Sequence, residues 1–334
     1  MESARYFIHP FFGDLRLNSA VSMPSQLIAS DTLEERRPYY IHLSVTGRCN
    51  AKCVGCVNSN ITFRNSDNEW LSKDNDTNPQ RDATAILNLT EGLDEKEIVV
   101  SFYGGEPLLL PEKILEIMSI LSASGNSSEF KYMVYTNGQL LGDVIDKHPE
   151  LIPKIWLWSV SIDGAKEQHN SIRPGTDLDS IQQNLHKLSQ NQTGQVLMWS
   201  TIREEQSLLD CFSEFLSLYN SDCADLFFWH WVETESPFRS LQNFAVRYER
   251  DLRRIMDVYV VWLAGGRILP IIHLNELILY LLTGNERETS ACAVELARNF
   301  DIMGGKIHSC ADLPPEYAVG TIDDTGIPHV STPA

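Results

Sequence analysis

The chain lacks a long uninterrupted apolar run. Its most apolar stretch, 268–282, is broken by Pro270, His273, Asn275 and Glu276, so it does not read as a membrane span, which takes about 20 apolar residues. The opening residues MESARYFIHPFF lack the basic start and apolar core of a secretory signal, which makes a cytoplasmic location the expectation. Basic residues are scarce: 27 Lys and Arg against 45 Asp and Glu give a formal net charge of -18. A surface of that sign repels phosphate backbones, so nucleic acid is a poor partner, while a basic peptide is compatible. Internal repeats and low-complexity tracts are absent. Cysteine is present as seven residues, an odd number, and three of them crowd one loop. Without a secretory signal, that pattern points to thiols and metal rather than disulfides. What remains is ordinary for a globular protein: 334 residues, 43% hydrophobic and 22% charged, enough for one large domain and a small one.

Apolar strand-length runs alternate with helical patterns through the middle of the chain. Strands are predicted over 38–45, 97–103, 130–136, 155–162, 196–202 and 226–232, and helices over 83–93, 111–122, 141–147, 178–189 and 205–219. Regular alternation of this kind builds a parallel sheet with helices outside. Six units are too few for a closed eight-stranded barrel, so the expected fold class is α/β, an open partial (β/α)6 TIM-like barrel. Residues 1–37 are expected to form an N-terminal cap, with a short hairpin at 6–17. Residues 38–237 form the barrel. The polar stretch 61–82 reads as an exposed insertion. From 238 the rhythm changes to amphipathic helices at 244–263 and 274–282 and a hairpin over 301–309 turning at Gly304-Gly305; 238–334 is expected to be a small C-terminal module.

The polar clusters fall where the strands end. After the first strand comes TGRCNAKCVGCVNSN, with Cys49, Cys53 and Cys56 spaced C-x3-C-x2-C. A cubane iron–sulfur cluster usually takes four cysteines; three leave one iron open for a further ligand. Zinc usually needs a second Cys or His pair, and none lies nearby. The second strand ends in Gly104-Gly105-Glu106-Pro107, where glycines admit a ligand close to the backbone and Glu106 offers an acceptor for an amine. The third ends in Thr136-Asn137-Gly138. The fourth gives Ser161-Ile162-Asp163-Gly164, followed by His169 and Arg173; Ser161 and the Arg173 fork together can hold a carboxylate. His230 and Glu233, at the sixth strand, are candidates for a base or a substrate contact. Trp229 and Trp231 alternate beside His230, which equally suits a packed strand. Cys211 reads as core packing in a helix, Cys223 is open between packing and ligation, and His42 reads as a buried structural histidine. Trp156 and Trp158 are expected to share one core-facing side of their strand.

Over 38–235 the order CNAKCVGC, YGGEPLL, YTNG and SIDGAKEQHNSIRP resembles radical SAM enzymes, and is similar to the peptide-modifying branch related to anaerobic sulfatase-maturating enzymes and ribosomal-peptide maturases. The resemblance implies that Cys49, Cys53 and Cys56 bind a [4Fe-4S] cluster whose open iron takes S-adenosylmethionine (SAM). It implies that Gly104, Gly105, Glu106 and Pro107 hold the methionine amine, that Ser161 and Arg173 contact the SAM carboxylate, and that Asn137 lies close by. An electron from an external donor such as flavodoxin or ferredoxin then cleaves SAM reductively, and the 5′-deoxyadenosyl radical takes a hydrogen from the substrate. Cys292, Gly305 and Cys310 resemble the opening half of the SPASM or twitch module, implying an auxiliary cluster on Cys292 and Cys310. No cysteine follows Cys310, so further ligands would come from residues such as Cys211, Cys223, His308 or Asp312. The resemblance favours a peptide or protein substrate undergoing crosslinking or oxidation; a dehydrogenase-like enzyme on a small metabolite is the second reading, and a non-catalytic iron–sulfur or SAM-binding protein the third.

Overall fold

The strands expected from the alternating pattern all form. The structure is a computed structural model that describes residues 7–9, 13–15, 39–56, 63–64, 70–71, 76–93, 97–125, 129–191, 194–233, 238–284, 299–310 and 317–331. Cys292 and Asp312 lie outside them, with most of the 1–37 cap and much of 61–82. Within the cap, β1 (Phe7–His9) and β2 (Gly13–Leu15) pair antiparallel, the hairpin expected there. The first barrel strand is β3 (Tyr39–Thr46), and a small antiparallel pair, β4 (Phe63–Arg64) and β5 (Trp70–Leu71), follows. Then come α1 (Pro79–Leu89), β6 (Glu97–Gly104), α2 (Pro111–Ala123), β7 (Glu129–Thr136), α3 (Leu141–Lys147) and β8 (Ile155–Ser161). The barrel continues with α4 (Lys166–Ile172), α5 (Leu178–Ser189), β9 (Gln195–Ile202), α6 (Leu208–Asn220) and β10 (Leu226–Trp231). The chain closes with α7 (Leu241–Ala264), α8 (Ile272–Thr283), β11 (Asn299–Met303), β12 (Lys306–His308), β13 (Gly320–Ile322) and β14 (Pro328–Val330).

Capping chemistry sets the helix starts. The expected helix at 83–93 begins earlier, because Pro79 sits at its first turn and the Asn78 side chain accepts from the Arg81 N–H. Consequently Asp82, expected in an exposed insertion, is buried. Asp177 caps α5 as predicted, accepting from the Ser180 N–H. The helix expected from 205 waits for its Ser207 cap, while α7 starts early at its Ser240 cap. The short α4 was not foreseen.

The main sheet runs β10-β9-β8-β7-β6-β3-β11-β12-β13-β14. Strands β10 through β11 are parallel neighbours, and β12, β13 and β14 add antiparallel. The hairpin expected at 301–309 forms at Gly304-Gly305, and its first strand, β11, lies beside β3 as an added parallel strand. Side chains alternate across the sheet. On β3, Ile41, Leu43 and Val45 join the core beneath the helices, whereas Tyr40 joins an inner cluster with Val99, Met133, Leu157, Leu197 and Leu226. Ile272 of α8 completes that inner cluster, closing the barrel below the strands' C-terminal ends. Phe244, Ile255 and Tyr259 of α7 enter the helix-side core.

One register irregularity corrects the expectation for Trp156 and Trp158. Pairing of β7 with β8 steps from Tyr132–Ile155 to Met133–Leu157, skipping Trp156. Trp156 therefore packs with the inner cluster while Trp158 packs under the helices, because one extra residue breaks the period of two.

The cap of α1 is testable alone. Asn78→Ala removes one acceptor from an exposed helix end, and we expect a loss of about 1 kcal/mol, measured as a lower Tm with the iron content of reconstituted protein unchanged.

Candidate active site

The cysteine loop leaves β3 and is sewn to two neighbouring segments through its backbone. Gly105 N–H donates to Thr46 O at 2.8 Å and Glu106 N–H to Arg48 O at 2.9 Å. On its other side, Lys52 N–H donates to Pro174 O at 2.7 Å and Val54 N–H to Ile172 O at 2.9 Å. Both approaches need glycine. A Cβ on Gly105 would meet Arg48 O at 2.1 Å, and one on Gly175, whose φ is +97°, would meet Asn50 O at 2.5 Å. The thiols of Cys49, Cys53 and Cys56 are half-buried on this loop. Thr46 and Arg48 anchor its start on Asp76, Arg48 Nη2 lying 2.7 Å from Asp76 Oδ2.

Donors surround the sulfurs. Ala51 N–H lies 3.4 Å from Cys49 Sγ, Asn137 Nδ2 3.9 Å from the same atom, and Arg173 Nη1 3.7 Å from Cys53 Sγ. Burial pushes the Cys49 thiol up to about 12, and the Glu106 charge adds to that. Such a thiol stays protonated near neutrality unless a cation displaces the proton. Among the described residues no three His, Cys, Asp or Glu side chains converge on a single metal ion. A cubane does not require that, since each cysteine takes a different iron corner. Three thiols on one loop, ringed by N–H donors and a guanidinium, therefore fit a [4Fe-4S] cluster.

Glu106 does not stand open to an amine as expected. It is fully buried, and its carboxylate accepts from Leu108 N–H at 3.1 Å, Thr136 Oγ1 at 2.8 Å and Asn137 N–H at 2.8 Å. Burial pushes its pKa up to about 7 against the pull of these donors. It ties the end of β6 to the end of β7 and so places Asn137, whose Nδ2 also donates to Asn50 Oδ1 at 2.8 Å.

Arg173 also differs from the expected open fork. Its Nε lies 2.8 Å from Asp163 Oδ2 and its Nη2 3.3 Å from Asp163 Oδ1. Arg203, which no sequence motif flagged, reaches the same carboxylate through Nη1 at 2.8 Å. Thr201 N–H donates to Asp163 Oδ1 at 2.9 Å. Burial alone would raise Asp163, but the Arg173 and Arg203 charges outweigh it and hold the carboxyl at about 2. Only Nη1 of Arg173 remains directed toward the cysteine loop. Ser161, the last residue of β8, is half-buried. His169 is buried, and burial lowers it to about 4. Its Nδ1 accepts from Asp163 N–H at 3.1 Å, which puts the proton on Nε2, 3.1 Å from Thr176 Oγ1. Thr176 in turn donates to Arg173 O. The motif SIDGAKEQHNSIRP is thus one folded unit holding Asp163 against Arg173.

The remaining expected residues separate by place. His230 lies near the end of β10, with Nε2 2.8 Å from Thr201 Oγ1 and Nδ1 3.6 Å from the Glu233 carboxylate. His42 is buried among the rings of Tyr40, Tyr103 and Tyr135, and burial lowers it to about 4, the neutral structural histidine expected. Cys211 and Cys223 both pack in the helix-side core. Cys310 lies two residues beyond β12. His308 is fully buried, and among the described residues neither ring nitrogen has a hydrogen-bond partner.

Residues 43–202 match the model of the radical SAM superfamily. An uncharacterized protein of Methanocaldococcus jannaschii is 31% identical over 137 residues, 40% of this chain and 42% of that protein. A probable GTP 3',8-cyclase of Methanothermobacter marburgensis is 34% identical over 110 residues, 33% of this chain and 31% of that protein. The chain thus spans less than half the length of either relative. Among solved structures, native anSMEcpe with bound AdoMet superposes with a TM-score of 0.64 at 16% identity, covering 85% of this chain and 78% of that one. Streptococcus suis SuiB bound to precursor peptide SuiA gives 0.54 at 16%, covering 82% and 60%. At that identity the likeness is one of fold: an α/β partial barrel.

Two outcomes follow from the buried carboxylates. Glu106→Gln places an amide N–H2 among donors and should cost about 1–3 kcal/mol, measured by thermal unfolding. Asp163 has a folded pKa below its unfolded value of about 3.9, so its contribution is present above pH 4. It should be lost as pH falls from 4 through 2, read as acid unfolding that Asp163→Asn shifts to higher pH.

Proposed function

We propose that this protein is a radical SAM enzyme that modifies a peptide or protein side chain, by crosslinking or oxidation. The observation that carries the reading is the cysteine loop itself. Its three thiols stand at the C-terminal end of β3, with Asn137 directed at Cys49 and Arg173 at Cys53. When bound, a [4Fe-4S] cluster and SAM supply reductive cleavage of the sulfonium and a 5′-deoxyadenosyl radical that takes hydrogen from the substrate. The residues supply binding and placement. Cys49, Cys53 and Cys56 hold the cluster; Gly104 and Gly105 offer backbone to the methionine amine, their close packing on Thr46 and Arg48 fixing where it meets them. Ser161 and the Nη1 edge of Arg173 would hold the carboxylate. Glu106 and Pro107 hold that turn in shape, with Pro107 opening a short helical turn. The electron comes from an external donor of the flavodoxin or ferredoxin kind. His230 and Glu233, paired at the mouth of the barrel, are the candidates for a proton acceptor.

The peptide preference draws on the fold shared with SuiB, which is seen with a precursor peptide. In keeping with that branch, we place an auxiliary cluster on Cys292 and Cys310 of the 238–334 module. The second reading, a small-metabolite enzyme, draws on the sequence match to a probable GTP 3',8-cyclase.

Anaerobically reconstituted and reduced protein should release 5′-deoxyadenosine from SAM, and a peptide encoded beside the gene should stimulate that release. Stimulation by a nucleotide or sugar alone would select the second reading. No 5′-deoxyadenosine under any condition would sink both. The Cys49/Cys53/Cys56→Ala triple variant should lose the activity, and iron retained in it reports the auxiliary cluster.

A further inference from the structure

Arg203 follows β9 and belongs to none of the motifs, yet it is buried beside the cysteine loop. Its Nη1 lies 2.8 Å from Asp163 Oδ2, 3.0 Å from Thr201 O and 3.2 Å from Gln206 Oε1. Its Nε donates at 2.5 Å to Val54 O, a carbonyl lying between Cys53 and Cys56. Arg173 shares the same Asp163 carboxylate and sets Nη1 3.7 Å from Cys53 Sγ. Among the described residues one carboxylate therefore serves two guanidinium groups, which leaves one surplus positive charge there. Burying an unbalanced charge is costly unless an opposite charge lies close. The groups these two arginines touch outside their own network belong to the cysteine loop, whose sulfurs are anionic once they hold iron.

We propose that Arg203 is a positioning residue that, through Asp163 and the Val54 carbonyl, keeps this surplus positive charge against the cysteine loop and raises the reduction potential of the cluster it holds. The inference rests on the cluster reading. Its sign follows from electrostatics: one-electron reduction adds a negative charge to the cluster, and a fixed positive charge nearby favours that state. A purely structural tie would hold the loop equally well without setting the potential.

The test is a redox titration followed by electron paramagnetic resonance on the full chain, reconstituted anaerobically with iron and sulfide. Arg203→Gln removes the surplus charge directly. Gln206→Glu cancels it without touching either arginine. Gln206 Oε1 already accepts from Arg203 N–H at 2.8 Å, so a carboxylate can take its place at the loss of a long 3.4 Å contact to the Asp163 carbonyl. Each should shift the reduction equilibrium about tenfold toward the oxidised cluster, about 59 mV lower for a one-electron couple. Arg203→Lys keeps the charge and should stay near the wild-type potential. If Arg203→Gln does not fold, Gln206→Glu carries the comparison. Wild-type midpoints in the charge-removing variants, with iron content intact, overturn the role of Arg203 and leave the cluster reading standing. A wild-type chain that takes up no iron overturns the cluster reading and this role together, and the iron count tells the two failures apart.

Discussion

The carboxylate of Asp163 is the joint on which the site depends. It is fully buried, yet it stays ionised because two guanidinium groups and a backbone N–H outweigh the cost of removing it from water. Through it the end of β8 is linked to the end of β9 and to the segment at Arg173, which carries the cysteine loop on backbone hydrogen bonds. Neutral His169 completes the arrangement by accepting from the Asp163 N–H. Glu106 does the same work one strand pair away, joining β6 to β7. Two buried acidic residues, neither in reach of solvent, thereby align four strand ends.

The barrel divides into layers with different duties. Low in the lumen, Tyr40, Val99, Met133, Leu157, Leu197 and Leu226 pack with Ile272 into an apolar floor. Above it lie His42, Tyr103, Tyr135 and Trp199, a ring-lined middle. At the top are the glycines, Asn137, Ser161 and the thiols. A floor of this kind keeps water out from below and leaves the strand ends as the open face, the place where barrels of this class put chemistry.

Much of this was legible in the sequence. The strand positions follow from apolar runs bounded by turn residues, and α5 could be read to its ends because Asp177 caps it. The residues of the site were legible as types at strand ends: thiols, glycines, Asn137, Ser161, Arg173. Their partners were not. Glu106 looks like an open acceptor until its three donors are seen, one from the last residue of β7 and one from the residue after it. Arg203 sits in an unremarkable IREEQ stretch, and only the folded chain brings it to Val54, far away in sequence. The face of Trp156 was unreadable because a single-residue bulge leaves no mark in a hydrophobic pattern.

The sequence by itself determined the parallel α/β architecture, the three-thiol loop and the order of polar clusters at the strand ends, because periodicity and spacing are local properties. Tertiary structure decided how charge is shared. Asp163 takes two arginines, Glu106 closes on β7, and β11 comes to lie beside β3. Each of these joins residues distant along the chain, and burial, which sets the strength of a charge interaction, exists only once the fold has excluded water.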